Sequence, residues 1–404
     1  MQELALAVGR YPSFALLWAG RVLSVVAFNI LAVAVGWEIY SLTGDPLDLG
    51  LVGLAQFVPI LLLTLMVGQV ADRYDRRLVV TICRTVQGVA GVALALGSVA
   101  GVLESSSILM LVAVIGAARA FEDPTVTALM PGLVPREVFP RATVWYSMAS
   151  QLARISGPAF GGLLYILGPG AAFITAALLY GVAAILTLMI RKDPGSGIKT
   201  PVTLASVFAG LVFTWRTPII LGAISLDLFV VLLGGATALL PIYARDILET
   251  GPLGLGLLRS APAVGAVLMS AVLARIPIRS HVGTLLFGSV IVFGLATIIF
   301  GVSTSLVVSL AALAVLGAAN MISVVIRLSV VQLRTPNEMR GRVSAVNSLF
   351  TGTSNQLGDF ESGVTAALFG TVPAVMIGGV GTVLVALTWM RLFPDLRRVQ
   401  RFDA

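Results

Sequence analysis

Acidic and basic side chains stand inside stretches of this sequence that are otherwise almost wholly apolar. The first half places Arg21, Glu38, Arg119, Glu122, Asp123 and Arg154 there, and the second half places Asp227, Arg259, Arg327, Asp359 and Glu361. An ionisable group in such a setting is expensive unless it faces water, a partner or a ligand, so each is a functional candidate. Low-dielectric burial favours the neutral carboxyl, which suits an aspartate or glutamate to carrying a proton. Arginine keeps its charge and offers a planar fork of donors to an anion. The candidates for proton coupling are Asp359, Asp123, Asp227, Glu122 and Glu361. Those for substrate contact are Arg21, Arg154, Arg119, Arg327 and Asn355. His281 is the only histidine and Cys83 the only cysteine. That composition excludes an internal disulfide and a multi-cysteine metal site. No metal, cofactor or enzymatic nucleophile–base set is expected.

Spacing sorts the candidates further. Arg119 precedes Glu122 by three residues and Asp123 by four, so either acid can pair with it along a helix. The other acid is then left to bind a proton, to meet Arg21 or Arg154, or to close a structural network. Arg21 and Arg154 have no acid at those intervals and need partners from other helices or from a ligand. Ser344, Ser348, Thr351, Asn355, Asp359 and Ser362 recur every three or four residues, a polar stripe that in a membrane helix faces water or substrate. Glu361 points about 200° away from that stripe. It serves either directly or as partner to a neighbouring charge such as Arg327. Glu38 and Arg259 fall near the outer ends of their spans, within reach of water.

The elements that must position these groups are membrane-spanning helices. Of the 404 residues, 58% are hydrophobic and only 11% charged, and the mean hydropathy is +1.00. A soluble protein carries about a quarter charged residues, so this chain cannot cover itself with polar surface. Apolar runs of about 20 residues, enough to cross a bilayer, occur at 14–42, 49–70, 78–103, 108–129, 143–167 and 171–190. Six more lie at 219–243, 253–273, 284–302, 305–331, 344–369 and 374–392. Their continuity excludes a transmembrane barrel, whose strands alternate every second residue. Arg10 and a long first span argue against a cleavable signal peptide.

The net charge of +7 does not mark a nucleic-acid binder, because the arginines are spread over short loops. With a cytoplasmic N-terminus the inner loops carry Arg73, Arg76, Arg77, Arg136, Arg141, Arg191, Lys192, Lys199, Arg216, Arg275, Arg279, Arg334, Arg340 and Arg342. The tail adds Arg397, Arg398 and Arg401, while the outer loops carry Arg245 alone. That bias places both termini in the cytoplasm of a multi-pass inner-membrane protein. Residues 191–217 form the one polar linker, with an interfacial helix expected at 203–215. Gly195–Thr200 lacks the glycine spacing of a phosphate loop. The domains expected are therefore a six-helix bundle at 1–190, the linker, and a second six-helix bundle with a short tail at 218–404.

The halves repeat. Arg10-Tyr-Pro12 answers Arg216-Thr-Pro218, and Pro46-Leu-Asp-Leu-Gly50-Leu51 answers Pro252-Leu-Gly-Leu-Gly256-Leu257. Pro135-x-Glu137-x-x-x-Arg141 answers Pro336-x-Glu338-x-x-x-Arg342, and Gly157 answers Gly358. Two such halves put a central site between repeats.

The loop Gly68-Gln-Val-Ala-Asp72-Arg73-Tyr-Asp75-Arg76-Arg77 resembles the signature loop of the major facilitator superfamily, with Asp75 where the general signature has glycine. Gly157-Pro158-Ala-Phe-Gly161-Gly162 is similar to the glycine–proline motif of antiporters in that superfamily, with Ala153 replacing an earlier glycine. Phe14-Ala-Leu-Leu-Trp18-Ala-Gly20-Arg21, Pro131-Gly-Leu-Val-Pro135, Arg154-Ile-Ser-Gly157-Pro158 and Gln332-Leu-Arg-Thr-Pro336 with Arg340-Gly341-Arg342 resemble the enterobactin-exporter and macrolide-efflux branch. The resemblance implies an all-α membrane protein of major facilitator fold, about twelve transmembrane helices in two six-helix halves. It also implies proton-driven export by alternating access. Conformational gating falls to Gly68, Asp72, Arg73, Arg76, Arg77, Gly157, Pro158, Gly161 and Gly162. The expected partners are a small amphipathic substrate, protons and the lipid bilayer, with the chain acting as a monomer. A siderophore comes first as substrate; a macrolide or other drug, and a lysolipid moved by a flippase, are alternatives. A non-transporting receptor or scaffold on the same fold is the rival from another class.

Overall fold

The computed structural model describes residues 11–135, 137–191, 204–336 and 338–401. The backbone there is helical, with no strand among the described residues. Part of the linker, residues 192–203 with Lys192 and Lys199, lies outside the described residues, as do Arg10 and Arg136.

Contacts divide the chain into two compact units, one of Met1–Thr43 with Ala55–Pro201 and one of Gly44–Leu54 with Val202–Ala404. The first is built from α1 (Pro12–Thr43), α3 (Arg76–Val99), α4 (Ser105–Leu129), α5 (Phe139–Ile166), α6 (Pro169–Leu188) and the later turns of α2 (Pro46–Arg73). In it α1 packs on α5 and α6, and α3 on α4 and α6. Lipid offers no hydrophobic drive between helices, so close backbone approach through small residues holds them together. The glycine–proline motif supplies that approach. A methyl group at Gly157 would stand 2.6 Å from Asn29 Cβ, and one at Gly161 would stand 3.0 Å from Ile30 Cα, both on α1.

The second unit contains α7 (Leu204–Arg216), α8 (Pro218–Leu233), α9 (Gly251–Arg275), α10 (Val282–Val302), α11 (Leu306–Arg334), α12 (Arg340–Phe369) and α13 (Thr371–Leu392). Here α11 packs on α9 and α10, α13 on α10, and α12 on α7 and α8. Gly317 of α11 meets the backbone of Pro262, and Gly265 of α9 meets that of Ala314, leaving no room for a side chain at either crossing. The tail closes against this unit: Gly283 N–H donates to the Val399 carbonyl at 2.9 Å.

Ten segments among the described residues are both long and apolar enough to cross a membrane. Helices α5 and α12 match them in length, at 28 and 30 residues, but carry more polar side chains. The expected span 219–243 is not one helix. α8 stops at Leu233, Gly234 and Gly235 intervene, and a 3-10 turn over Ala236–Leu239 follows, then a π turn over Tyr243–Ile247. Paired glycines and Pro241 explain the interruption, since both weaken helical continuity.

Candidate functional site

In the first unit α1, α3, α4 and α5 bring together most of the charged candidates. Arg21 Nη1 lies 2.6 Å from Asp123 Oδ1. Arg119 Nη2 lies 3.5 Å from the other oxygen of the same carboxylate, one helical turn away. Arg119 also stacks over the Phe28 ring, 3.6 Å from its centroid, and Arg21 approaches the Tyr146 ring at 5.7 Å. Arg154 is exposed on the molecular surface and has no ion-pair or hydrogen-bond partner among the described residues; it acts electrostatically on Arg21, Arg119 and Asp123. Two guanidinium groups therefore share the Asp123 carboxylate, and the charge of a third acts on it, so that positive charge is in surplus around this acid.

Glu122 does not join that group. It turns into the core, where Arg84 Nε donates to it at 2.9 Å and Gln87 Nε2 at 2.7 Å. Arg84 also donates to the Ala183 carbonyl at 3.1 Å and to the Thr187 hydroxyl. The sequence reading left out Arg84, although an arginine in mid-span with Gln87 one turn on was visible. Gly20 makes space for it, since a methyl there would stand 2.5 Å from Arg84 Nη1. Adjacent acids on α4 thus take opposite roles: Glu122 closes a buried network, and Asp123 faces the arginines.

The signature loop acts on helix ends. Asp75 caps α3, accepting from Arg77 N–H at 3.0 Å, and pairs with the Arg77 side chain at 2.8 Å. Arg76 donates to the Ala128 carbonyl at 3.0 Å and Arg77 to the Ile190 carbonyl at 2.6 Å. Cations at the carbonyl ends of α4 and α6 complement the helix dipoles. The acid that departs from the general signature is therefore a helix cap. Arg73 is exposed. Gly68 and Asp72 lie on α2, but their surroundings fall outside what is described.

In the second unit the acids also separate. Asp227 Oδ1 pairs with Arg327 Nη1 at 2.6 Å, both residues buried, and its other oxygen accepts from the half-buried Thr351 at 3.1 Å. Arg327 is thereby committed to Asp227 and not to Glu361, which accepts from Thr365 at 2.8 Å on its own helix. Asp359 accepts a long hydrogen bond, 3.5 Å, from Thr237 in the interrupted segment after α8. The charge acting on it is that of Arg259. Asn355 is exposed and donates to the Thr351 carbonyl at 2.7 Å. Glu38, near the C-terminal end of α1, accepts from the Tyr165 hydroxyl. Among the described residues no group of histidine, cysteine and acids is arranged to hold a metal.

Comparison with known proteins agrees with this architecture. The sequence profile of the transmembrane secretion effector family matches residues 4–403. The enterobactin exporter EntS of Citrobacter koseri is 27% identical over 408 residues, covering 97% of this chain and 94% of that protein. EntS of Shigella boydii is 26% identical with the same coverage. Among solved structures, a bacterial homologue of the human lysosomal transporter Spinster superposes with a TM-score of 0.77 at 14% identity, covering 95% of this chain and 97% of that one. A bacterial homologue of the iron transporter ferroportin superposes with a TM-score of 0.72 at 16% identity, over 96% and 98%. The fold is thus that of a multi-pass inner-membrane protein that moves small molecules by alternating access, and not an enzyme. This chain belongs to the transmembrane secretion effector family of the major facilitator superfamily and is related to its enterobactin-exporter branch.

Proposed function

We propose that this protein exports an amphipathic anion, a siderophore before other classes, in exchange for protons. The observation that carries the reading is the unequal charge around Asp123: Arg21 and Arg119 share this one acid, and Arg154 adds a third positive charge acting on it. An anionic ligand would complete that charge, and the Phe28 and Tyr146 rings beside the arginines suit an apolar or aromatic part of the same molecule. Proton carriage falls to Asp359, which no ion pair among the described residues neutralises, whereas Asp227 and Glu122 are each held by an arginine. The related exporters act on enterobactin by name, which supports the siderophore class and the outward direction.

In this reading the chain works as a monomer with both termini cytoplasmic, built as two six-helix bundles, 1–190 and 218–404. The signature loop and the glycine–proline helix provide the gating surfaces. Thermal-shift measurements in detergent across siderophores, macrolides and lysolipids test the substrate class. Stabilisation by anionic siderophores, with flux in proteoliposomes that follows the pH gradient, is expected. Stabilisation by cationic drugs or lysolipids alone would reassign the substrate, and binding without proton-dependent flux would make the protein a receptor.

A further inference from the structure

Four buried polar atoms in the first unit have no hydrogen-bond partner among the described residues. They are Nη2 of Arg84 and Oε1 of Gln87 on α3, Oγ1 of Thr125 on α4 and the hydroxyl of Tyr180 on α6. All four residues are fully buried. The three helices bring them to the neighbourhood of one carboxylate. Glu122 takes Arg84 Nε at 2.9 Å on one oxygen and Gln87 Nε2 at 2.7 Å on the other. The two side chains that grip the acid thus each keep one unmet atom. Thr125 stands one turn after Glu122 on α4, and Tyr180 one turn before Ala183, whose carbonyl takes Arg84 Nη1 at 3.1 Å. Tyr180 faces α3, since a methyl at Gly88 would stand 3.5 Å from its Cβ.

A buried donor or acceptor left unmet is costly, and native interiors rarely keep one, let alone four together. Their chemistry says what would satisfy them. Arg84 Nη2 can only donate, Gln87 Oε1 can only accept, and the two hydroxyls can do either. Water both donates and accepts, and a buried water typically makes about three hydrogen bonds to such groups. A halide would suit the guanidinium and the hydroxyls, but Glu122 and the Gln87 carbonyl oxygen would repel it. A metal cation would suit the oxygens and be repelled by Arg84.

We infer that this polar core is a binding site for structural water, which joins the Arg84–Glu122 pair to Thr125 and Tyr180. The water extends the pair's hydrogen-bonding shell to α6 and ties that helix to α3 and α4. Two hydroxyls that touch neither charge then contribute to the stability of the charged pair. The site is separate from the Asp123 cluster: Glu122 turns away from Arg21 and Arg119, and none of the four unmet atoms belongs to a residue that pairs with Asp123.

The test has two parts, one on variants and one on the parent protein. Tyr180→Phe and Thr125→Val keep the shape of the side chain and remove the hydroxyl. A hydroxyl bonded to water contributes stability, whereas a dry, unpartnered one detracts from it, so the sign of the change decides. Both variants are expected to melt below the parent in detergent. An unchanged or higher melting temperature in both would show a dry core and overturn the inference. On the parent, X-ray radiolysis in oxygen-18 water generates hydroxyl radicals from bound water, and mass spectrometry reads the residues they label. Tyr180 is expected to be labelled although it is buried, while Phe173, equally buried on the same helix, stays unlabelled. Absence of label on Tyr180 would also overturn the inference. So would a melting temperature that follows chloride concentration at fixed ionic strength in the parent but not in Tyr180→Phe, which would give the site to a halide.

Discussion

Arg21 of α1 holds Asp123 of α4 at 2.6 Å, and the same carboxylate is reached by Arg119 at 3.5 Å, while Arg154 has no ion-pair partner among the described residues. In the proposed reading, the guanidinium outside those pairs is the one an incoming anion meets without breaking an existing ion pair. Arg154→Gln is therefore expected to weaken binding of an anionic siderophore about tenfold or more, since a hydrogen bond to a charged group is worth about 1.5–3 kcal/mol. Asp123→Asn, which releases two further arginines, should leave that binding intact or tighten it. Calorimetric titration in detergent reads both, and unchanged affinity in Arg154→Gln would remove this arginine from the site.

The Arg84–Glu122 pair carries a different expectation, because it is buried with its own hydrogen-bonding shell. Breaking a buried pair from one side costs about 3–5 kcal/mol, whereas replacing both partners with apolar groups costs much less. Arg84→Met and Glu122→Leu should each lower the melting temperature markedly, and the double variant should recover most of the loss. Equal, additive losses would show that the two side chains do not act as a pair.

Wedging the α1–α5 crossing tests the glycine–proline motif. Gly161→Leu introduces a side chain where even a methyl stands 3.0 Å from the Ile30 backbone, and overpacking costs about 1–3 kcal/mol. The variant should still fold and bind ligand, yet lose most of its flux. Full transport by Gly161→Leu would reduce the motif to a packing detail.

Topology gives a check independent of chemistry. Reporter fusions after Asp72, Lys199, Arg279 and Arg340 are expected to report cytoplasm, and fusions after Gly44, Ser106 and Gly251 the periplasm. A periplasmic signal at Lys199 would contradict two halves of six spans each.

How much of this could be read in advance depends on how local the determining physics is. Span positions follow from the length of apolar runs, so α1, α3 and α10 are legible directly. The interruption at Gly234–Gly235 was also written locally, as paired glycines before Pro241, but uniform hydrophobicity across 219–243 concealed it. The sharing of Asp123 by Arg119 follows from helical spacing. The Arg327–Asp227 pair does not: it joins helices 100 residues apart and depends on how each is rotated in the bundle. Arg84 escaped notice because its neighbours Ile82, Cys83 and Val86 keep the run apolar. Asp75 departs from the family signature, and its purpose becomes plain only when Arg77 and the start of α3 are seen together.

The most direct measurement is uphill export into proteoliposomes driven by an imposed pH gradient, comparing Asp359→Asn with Asp123→Asn and with Glu361→Gln as the control for altering an acid on α12. Asp359→Asn keeps the size and much of the hydrogen bonding of the native side chain but fixes it in the neutral state. It is expected to abolish gradient-driven export while leaving substrate binding in place and nearly independent of pH, with Glu361→Gln close to the parent. Retention of proton-driven export by Asp359→Asn, together with its loss in Asp123→Asn, would contradict the account and move coupling into the arginine cluster of the first unit.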